Sequence, residues 1–555
     1  MARTSKTKKA KTPQLKFYKR LVLNQYFLKL FGVSKLEEIA EEMKKPRYEG
    51  LDDDNNTNFY HFLIEEYKDK FKISKDKLLQ YDENIVAHTL KISEKRELRF
   101  SWKYFQYLSL LFTEIYLDMY VNTPDKLVAE LNAYVEEFNG DKEDGDKIEP
   151  YTLTDLKKIA FWNATGSGKT LIMHVNSLQY LHYMKQSGRV NEINKIILLT
   201  PNEGLSNQHL GEFQLSGLNA ELFDKNVGGL LALAEKRIEI IDINKIKDEE
   251  GDKTVAIDSF EGNNLVLVDE GHRGSSGEDW KGKRDKLCEN GFSFEYSATF
   301  GQAMKASGKE ALIQEYAKCI LFDYSYRYFY ADGYGKDYNI LNLEDDSKED
   351  IRLLYLTACL LTFYQQKRLF EDNRKTFAPF LIENPLIIFV GASVLKGKKN
   401  TEASDVVDIL TFFSDFIKNE SRSIKLIERL LGGSPGLLDN KGREIFRDAF
   451  KYLNSKPLDY TGIYRDILRT VFNSNTVEAE LHVENLKGVT GEIGICVGEN
   501  EYFGVINVGD DSKLIKLCEE NGLITGVREF SESLFQKINE NGSAVNVLIG
   551  SKKVY

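Results

Sequence analysis

Cysteine is scarce in these 555 residues. Cys288, Cys319, Cys359, Cys496 and Cys518 are scattered, and no two form a CxxC pair. This excludes a zinc ribbon or a disulfide framework as the organising device and makes a reducing cytoplasm the expected compartment. No apolar run approaches the roughly 20 residues of a membrane-spanning helix, so no membrane partner is expected. The start carries no secretory signal, and no internal repeat is visible. Positive charge is not in excess either, with 75 Lys and Arg against 86 Asp and Glu and a net charge of −11. That balance argues against a protein that coats nucleic acid by charge alone. It leaves room for one that tracks a strand through a local groove. What the sequence does have is 42% hydrophobic and 29% charged residues, an ordinary globular balance, and enough length for several domains with their own cores.

The first residues, Arg3 to Arg20, are lysine-rich and read as a solvated tail, with a nucleic-acid contact as the alternative. Residues 21–95 carry apolar groups at helix spacing, and a further helix-like run spans Trp102 to Tyr120. Beyond the charged loop at 139–145, short apolar runs alternate with helical segments. Ile196 to Leu199, Leu265 to Val268 and Phe294 to Ser297 are near-continuous apolar strands, the pattern of a parallel sheet covered on both faces. A connector with a helix at Ile351 to Phe370 leads to a second α/β region. That region has strands at Leu386–Val390, Ala479–Val483 and Val545–Ile549, and a mostly helical insertion near 400–475.

The strongest chemical signal is Asn163-Ala164-Thr165-Gly166-Ser167-Gly168-Lys169-Thr170, between a short apolar stretch and a helix. Glycines let a backbone curl its N–H groups towards phosphate oxygens, and the following helix N-terminus favours the anion. Lys169 then reaches the β- and γ-phosphates, and Thr170 ligates Mg2+. Asn163 stands where the strict phosphate-loop pattern has its first glycine. The second signal is Asp269-Glu270-Gly271-His272, at the end of the strand Leu265 to Val268. Ligands bind at the carboxyl ends of strands in open α/β sheets. Asp269 is therefore placed to hold Mg2+ and Glu270 to deprotonate an attacking water. The third is Ser297-Ala298-Thr299, again at a strand end. These residues either bond the carboxylate loop or form a simple hydroxyl-stabilised turn.

Together these three segments resemble motifs I, II and III of superfamily-two DExH/DEAD-box helicases, and the chain resembles the motor (Res-like) subunit of type III restriction enzymes. Thr200 to Gln208 resembles motif Ia, which implies backbone contacts to nucleic acid from Thr200, Gly204 and Gln208. Gln106 resembles the upstream glutamine that reads adenine, and Pro385 to Val394 resembles motif IV. The resemblance implies ATP and Mg2+ as cofactors, with Thr165, Gly166, Ser167, Gly168, Lys169, Thr170 and Gln106 around the nucleotide. Lys169, Asp269, Glu270 and His272 would be the catalytic set, and Ser297 and Thr299 would couple hydrolysis to movement.

The expected fold is α/β, with two tandem RecA-like lobes built on parallel sheets and preceded by an α-helical N-terminal domain. The expected divisions are 1–95 (basic tail and helices), 96–325 (ATP-binding lobe), 326–384 (connector) and 385–555 (second lobe). The implied activity is ATP-driven translocation on nucleic acid, with DNA favoured over RNA. The implied setting is restriction or phage defence, with methyltransferase, nuclease or other defence subunits as partners. The alternatives are an RNA helicase of the same superfamily and a nucleotide-gated binding subunit with idle chemistry; no nuclease constellation stands out. The last arginine is Arg528, upstream of the strand Val545–Ile549. By the order of motifs in the resembled family, the second lobe is therefore expected to be incomplete and to lack its arginine finger.

Overall fold

A computed structural model describes residues 15–551 apart from 68–69, 97–99, 225–236, 248–254, 272–277, 345–346, 379–381, 392–404, 490, 509, 530–531, 539 and 541. The chain divides into two compact units, Met1–Asp337 and Tyr338–Tyr555.

The first unit is organised by a seven-stranded sheet. Its strands are β1 (Lys158–Asn163), β2 (Ile196–Thr200), β3 (Ala220–Leu222), β4 (Ile238–Asp242), β5 (Leu265–Asp269), β6 (Phe292–Ser297) and β7 (Ile320–Tyr324). They run in the order β3-β4-β2-β5-β6-β1-β7, and every pairing is parallel. Successive side chains of a strand point to opposite faces, and both faces here are apolar. Ile196, Leu198, Leu265 and Leu267 join one buried cluster, while Ile197, Leu199, Val266 and Val268 join another. Strands buried on both faces have no polar alternation to show, which is why they read as continuous Ile/Leu/Val runs.

One face is covered by helices, among them α1 (Val22–Leu30), α2 (Lys75–Ser93), α3 (Tyr104–Asn122), α4 (Pro124–Asn139) and α5 (Lys169–Gln186). Their apolar residues share the cluster that includes Phe161, Leu198 and Phe294. α5 is packed between α2, α3 and the sheet, so it is buried almost all round and carries buried polar groups. Three of them donate hydrogen bonds: Asn176 to Tyr296 Oη at 3.0 Å, Gln179 to the Leu110 carbonyl at 3.0 Å, and Tyr183 to Glu114 at 2.7 Å. Such bonds offset the cost of burying amides and hydroxyls.

The second unit holds a six-stranded sheet of β8 (Ile387–Gly391), β9 (Leu481–Leu486), β10 (Glu492–Val497), β11 (Gly504–Asn507), β12 (Ile524–Arg528) and β13 (Val547–Ser551), in the order β8-β13-β11-β10-β9-β12. The α/β class expected from the sequence holds. The second sheet is parallel in part, through β8–β13, β11–β13 and β9–β12, and β9, β10 and β11 form an antiparallel meander inside it. The connections 487–491 and 498–503 are too short for a crossover, and short connections permit only antiparallel neighbours. The expected helical insertion is present as Asp405–Lys418, Glu420–Leu431 and Tyr460–Thr470.

Candidate active site

Three strand ends meet at one edge of the first sheet. β5 pairs with β6 through Asp269 and Tyr296, and β6 pairs with β1 through Ser297 and Trp162. The parallel register therefore sets Asn163, Asp269 and Ser297 side by side at the carboxyl ends of neighbouring strands. Sequence separations of more than a hundred residues collapse to adjacent positions.

The loop after β1 is held by backbone bonds from Ala164 N–H to the Tyr324 carbonyl (2.9 Å) and from Ser167 N–H to the Ala164 carbonyl (3.2 Å). Gly166 and Gly168 adopt φ of 83° and 86°, where a side chain is strained. A Cβ at Gly168 would also lie 2.4 Å from the Gln106 amide nitrogen. That amide donates to the Ser167 carbonyl at 2.9 Å, and its oxygen accepts from Lys103 N–H at 2.9 Å. Gln106 is thus brought against the phosphate loop. Thr165 and Gly166 are exposed, Ser167 is buried, and Lys169 and Thr170 open α5 at intermediate exposure. The Ser167 hydroxyl and the Asn163 carboxamide are buried with no hydrogen-bond partner among the described residues. Asn163, which replaces the usual glycine, ends the strand and so leaves the curled part of the loop unobstructed.

Burial pulls the Lys169 ammonium below its usual range, while the charges of Glu270 and Asp269 oppose that pull. Its Nζ lies 3.5 Å from the Asn163 carbonyl, the limit of a hydrogen bond. Burial acts to raise the Asp269 carboxyl, but the His209 hydrogen bond and the nearby charge of Lys169 outweigh it and hold the group below the usual carboxylate range. His209 Nε2 lies 2.9 Å from Asp269 Oδ2, and Asp269 Oδ1 accepts the Glu270 N–H at 3.0 Å. Glu270 itself sits at φ 54°, a left-handed conformation that costs a non-glycine residue of order 1 kcal/mol. His272 lies outside the described residues.

A buried ionic cluster supports this loop from behind. Helices α6 (Glu203–Leu215), α7 (Glu278–Leu287) and α8 (Glu310–Cys319) flank the sheet. Arg284 of α7 and Glu295 of β6 are fully buried and 3.1 Å apart. Lys158 lies 3.4 Å from Glu295 and 2.5 Å from Glu315. Tyr316 of α8 donates to Glu295 at 2.7 Å, with the Gly271 carbonyl at 3.4 Å, while Gly271 N–H bonds the Tyr296 carbonyl at 2.9 Å. Burial alone would raise the Glu315 carboxyl, but the Lys158 and Arg284 charges hold it down at about 2. Removing one member of a buried pair strands the other. Glu295→Ala is therefore expected to destabilise the protein by about 3–5 kcal/mol, read as a lower urea midpoint. A loss under about 1 kcal/mol would show that the remaining carboxylates compensate fully.

Ser297 is buried, and its Oγ accepts the Thr299 N–H at 3.0 Å. This is the hydroxyl-stabilised turn that the sequence offered as the plainer alternative, here placed beside the carboxylate strand. The motif Ia-like residues separate. Gly204 and Gln208 are exposed on α6. Thr200 is fully buried, with its hydroxyl 2.6 Å from Ser206. The expected polymer contact from the Thr200 side chain is corrected accordingly: the residue anchors the start of α6. Sequence reasoning passed over His209, Arg284, Glu295 and Tyr316. The first follows Gln208 directly, but nothing local signals its distant partner.

A carboxylate and a hydroxyl at the head of a phosphate loop fit Mg2+, which keeps waters and phosphate oxygens in most of its coordination positions. The phosphate loop, the acidic strand end and the Ser-Ala-Thr turn lie at the carboxyl ends of neighbouring parallel strands, where ligands bind in open α/β sheets. Residues 121–302 match the family described as type III restriction enzyme, res subunit. No curated protein matches the chain. Among solved structures, it is similar to the Sulfolobus solfataricus SWI2/SNF2 ATPase core in complex with dsDNA, at 11% identity and TM-score 0.22, over 71% of this chain and 83% of that one. It is similar to the Pyrococcus furiosus Hef helicase domain, at 12% identity and TM-score 0.27, over 75% and 85%. It is also similar to T4 UvsW, at 12% identity and TM-score 0.22, over 79% and 87%. These likenesses are too loose to carry an argument about activity.

Proposed function

We propose that the chain is an ATP-dependent translocase acting on double-stranded DNA in a restriction or phage-defence setting. The observation that carries the reading is the alignment of Asn163, Asp269 and Ser297 at neighbouring strand ends, with Lys169 opening the helix that follows the loop. In this reading the phosphate-loop amides and Lys169 hold the β- and γ-phosphates, and Gln106 contacts the base. Thr170 and Asp269 hold Mg2+, which when bound neutralises charge on the transferring phosphoryl group. Glu270 takes the proton from the attacking water. The restriction setting is supported by the description of the matched family, type III restriction enzyme, res subunit; the preference for DNA, and methyltransferase or nuclease subunits as partners, extend that reading. A cytoplasmic location accords with the scarce cysteine. Among the described residues, no helix is long and apolar enough to cross a membrane.

The test is steady-state ATP hydrolysis with no polymer, with double-stranded DNA, with single-stranded DNA and with RNA. Stimulation by double-stranded DNA is expected. Stimulation by RNA alone would reassign the polymer, and no hydrolysis under any condition would leave a nucleotide-gated binding subunit. Binding is also expected to be salt-sensitive and largely independent of sequence, because the exposed Gly204 and Gln208 would meet the phosphate backbone. A titration should show log affinity falling linearly with log salt. A flat response would remove backbone contacts as the source of affinity.

A further inference from the structure

α6 is fastened to the ATP site at two points, although its outer face is exposed. At the first, His209 Nε2 donates to the Asp269 carboxylate, 2.9 Å from Oδ2, and its side chain is 6% exposed. The other ring nitrogen, Nδ1, is buried with no hydrogen-bond partner among the described residues. At the second, Phe213 stacks on His174 of α5 with centroids 4.1 Å apart and planes at 23°. His174 Nδ1 meets Ser216 Oγ, just past the end of α6, at 2.9 Å. Gly204, Asn207 and Gln208 on the same helix are exposed. A rigid helix thus has solvent-facing positions at 204, 207 and 208. The very next residue is bonded to the carboxylate at the end of β5.

We infer that His209 is a positioning residue that couples whatever α6 grips to the metal-holding carboxylate Asp269. The inference rests on the function proposed above and adds a route by which polymer would set the rate. Asp269 has one oxygen tied to its own chain, at Glu270 N–H, and the other tied to His209. The first bond is local and moves with the loop. The second is a tether to α6, so a shift of that helix along or about its axis turns the carboxylate. The Phe213–His174 stack transmits the same shift to the helix that begins with Lys169. Partners of metal ligands fix ligand orientation and are worth about 10–100-fold in affinity or activity.

The experiment compares wild type, His209→Ala and His209→Gln. Three quantities are measured: hydrolysis with and without double-stranded DNA, DNA affinity, and the Mg2+ concentration for half-maximal binding of labelled ATP. Glutamine can present an N–H where Nε2 now lies. For His209→Ala, DNA stimulation is expected to fall about 10-fold and the Mg2+ midpoint to rise by a similar factor, with DNA affinity unchanged. His209→Gln should recover much of both. Wild-type stimulation retained in the alanine variant, or a loss fully explained by weaker DNA binding, overturns the coupling. An unchanged Mg2+ midpoint overturns the positioning of Asp269, and this reading needs no polymer. If wild type itself is not stimulated, the proposed function fails and the coupling with it, while the Mg2+ titration still decides whether His209 orients Asp269. Thermal melts of both variants separate misfolding from these effects, because the glutamine variant retains the hydrogen bond.

Discussion

Lys169→Ala is expected to abolish ATP turnover while leaving the protein folded. Lys169 opens α5 at the mouth of the loop, and its hydrogen bond to the Asn163 carbonyl is a long one, at 3.5 Å. Little native structure depends on it, so far-UV circular dichroism and the thermal melt should stay close to wild type. Its partners for chemistry are different. Burial already penalises the ammonium, and Glu270 and Asp269 hold it charged from across the site. A charge kept in a partly desolvated place at some cost matches a site that stabilises an anion. Removing a preorganised donor of this kind costs about 10²–10³-fold in rate. The loss should be at least that large, because the ammonium also neutralises the ground-state phosphates. A folded variant that turns ATP over at the wild-type rate would remove the phosphate-loop assignment, with Gln106 and Thr170 as cofactor residues falling alongside it.

The parts of this site that were legible in the sequence are those set by local chemistry. A curled phosphate loop needs residues free to take φ near +85°, so Gly166 and Gly168 betray it. Strands buried on two faces need unbroken apolar runs, so β2 and β5 were visible before their neighbours were known. The second sheet was harder. β10, Glu492–Val497, is wholly buried but contains Gly494, and glycine in a short run reads as a breaker. In the structure the missing Cβ makes room for the Tyr502 ring, whose nearest atoms would lie 2.7 Å from it. The packing that justifies the glycine comes from the connection to the next strand, eight residues on, which folds back over Gly494 only once the antiparallel pairing of β10 with β11 is formed. His209 and Asp269 are a similar case. Sixty residues separate them, and only the parallel pairing of β2 with β5 brings α6 over the end of β5. Thr200 shows the reverse error. A motif resemblance carried over its expected contact, but the residue ends a fully buried strand and its hydroxyl is already bonded.

Glu270→Gln is expected to separate binding from turnover. Glu270 follows β5 directly, and its conformation is fixed by backbone bonds on either side. Its own N–H goes to Asp269 Oδ1 at 3.0 Å, and the Gly271 N–H goes to the Tyr296 carbonyl at 2.9 Å. Glutamine has the same shape and takes the same φ of 54° at similar cost, so the loop should keep its path. Asp269 keeps its carboxylate and its bond to His209, so the metal position should persist. What changes is that an amide cannot accept a proton from water. General-base catalysis is worth about 10²–10⁴-fold, and single-turnover hydrolysis should fall by that factor. Equilibrium binding of labelled ATP with Mg2+ should be retained or tightened, since one of the two carboxylates repelling the phosphates loses its charge. Asp269→Asn provides the contrast: it removes the charge from the metal-holding position, so binding and turnover should fall together. If Glu270→Gln also lost binding in step with turnover, Glu270 would belong with the metal-holding group and the base would have to be sought elsewhere.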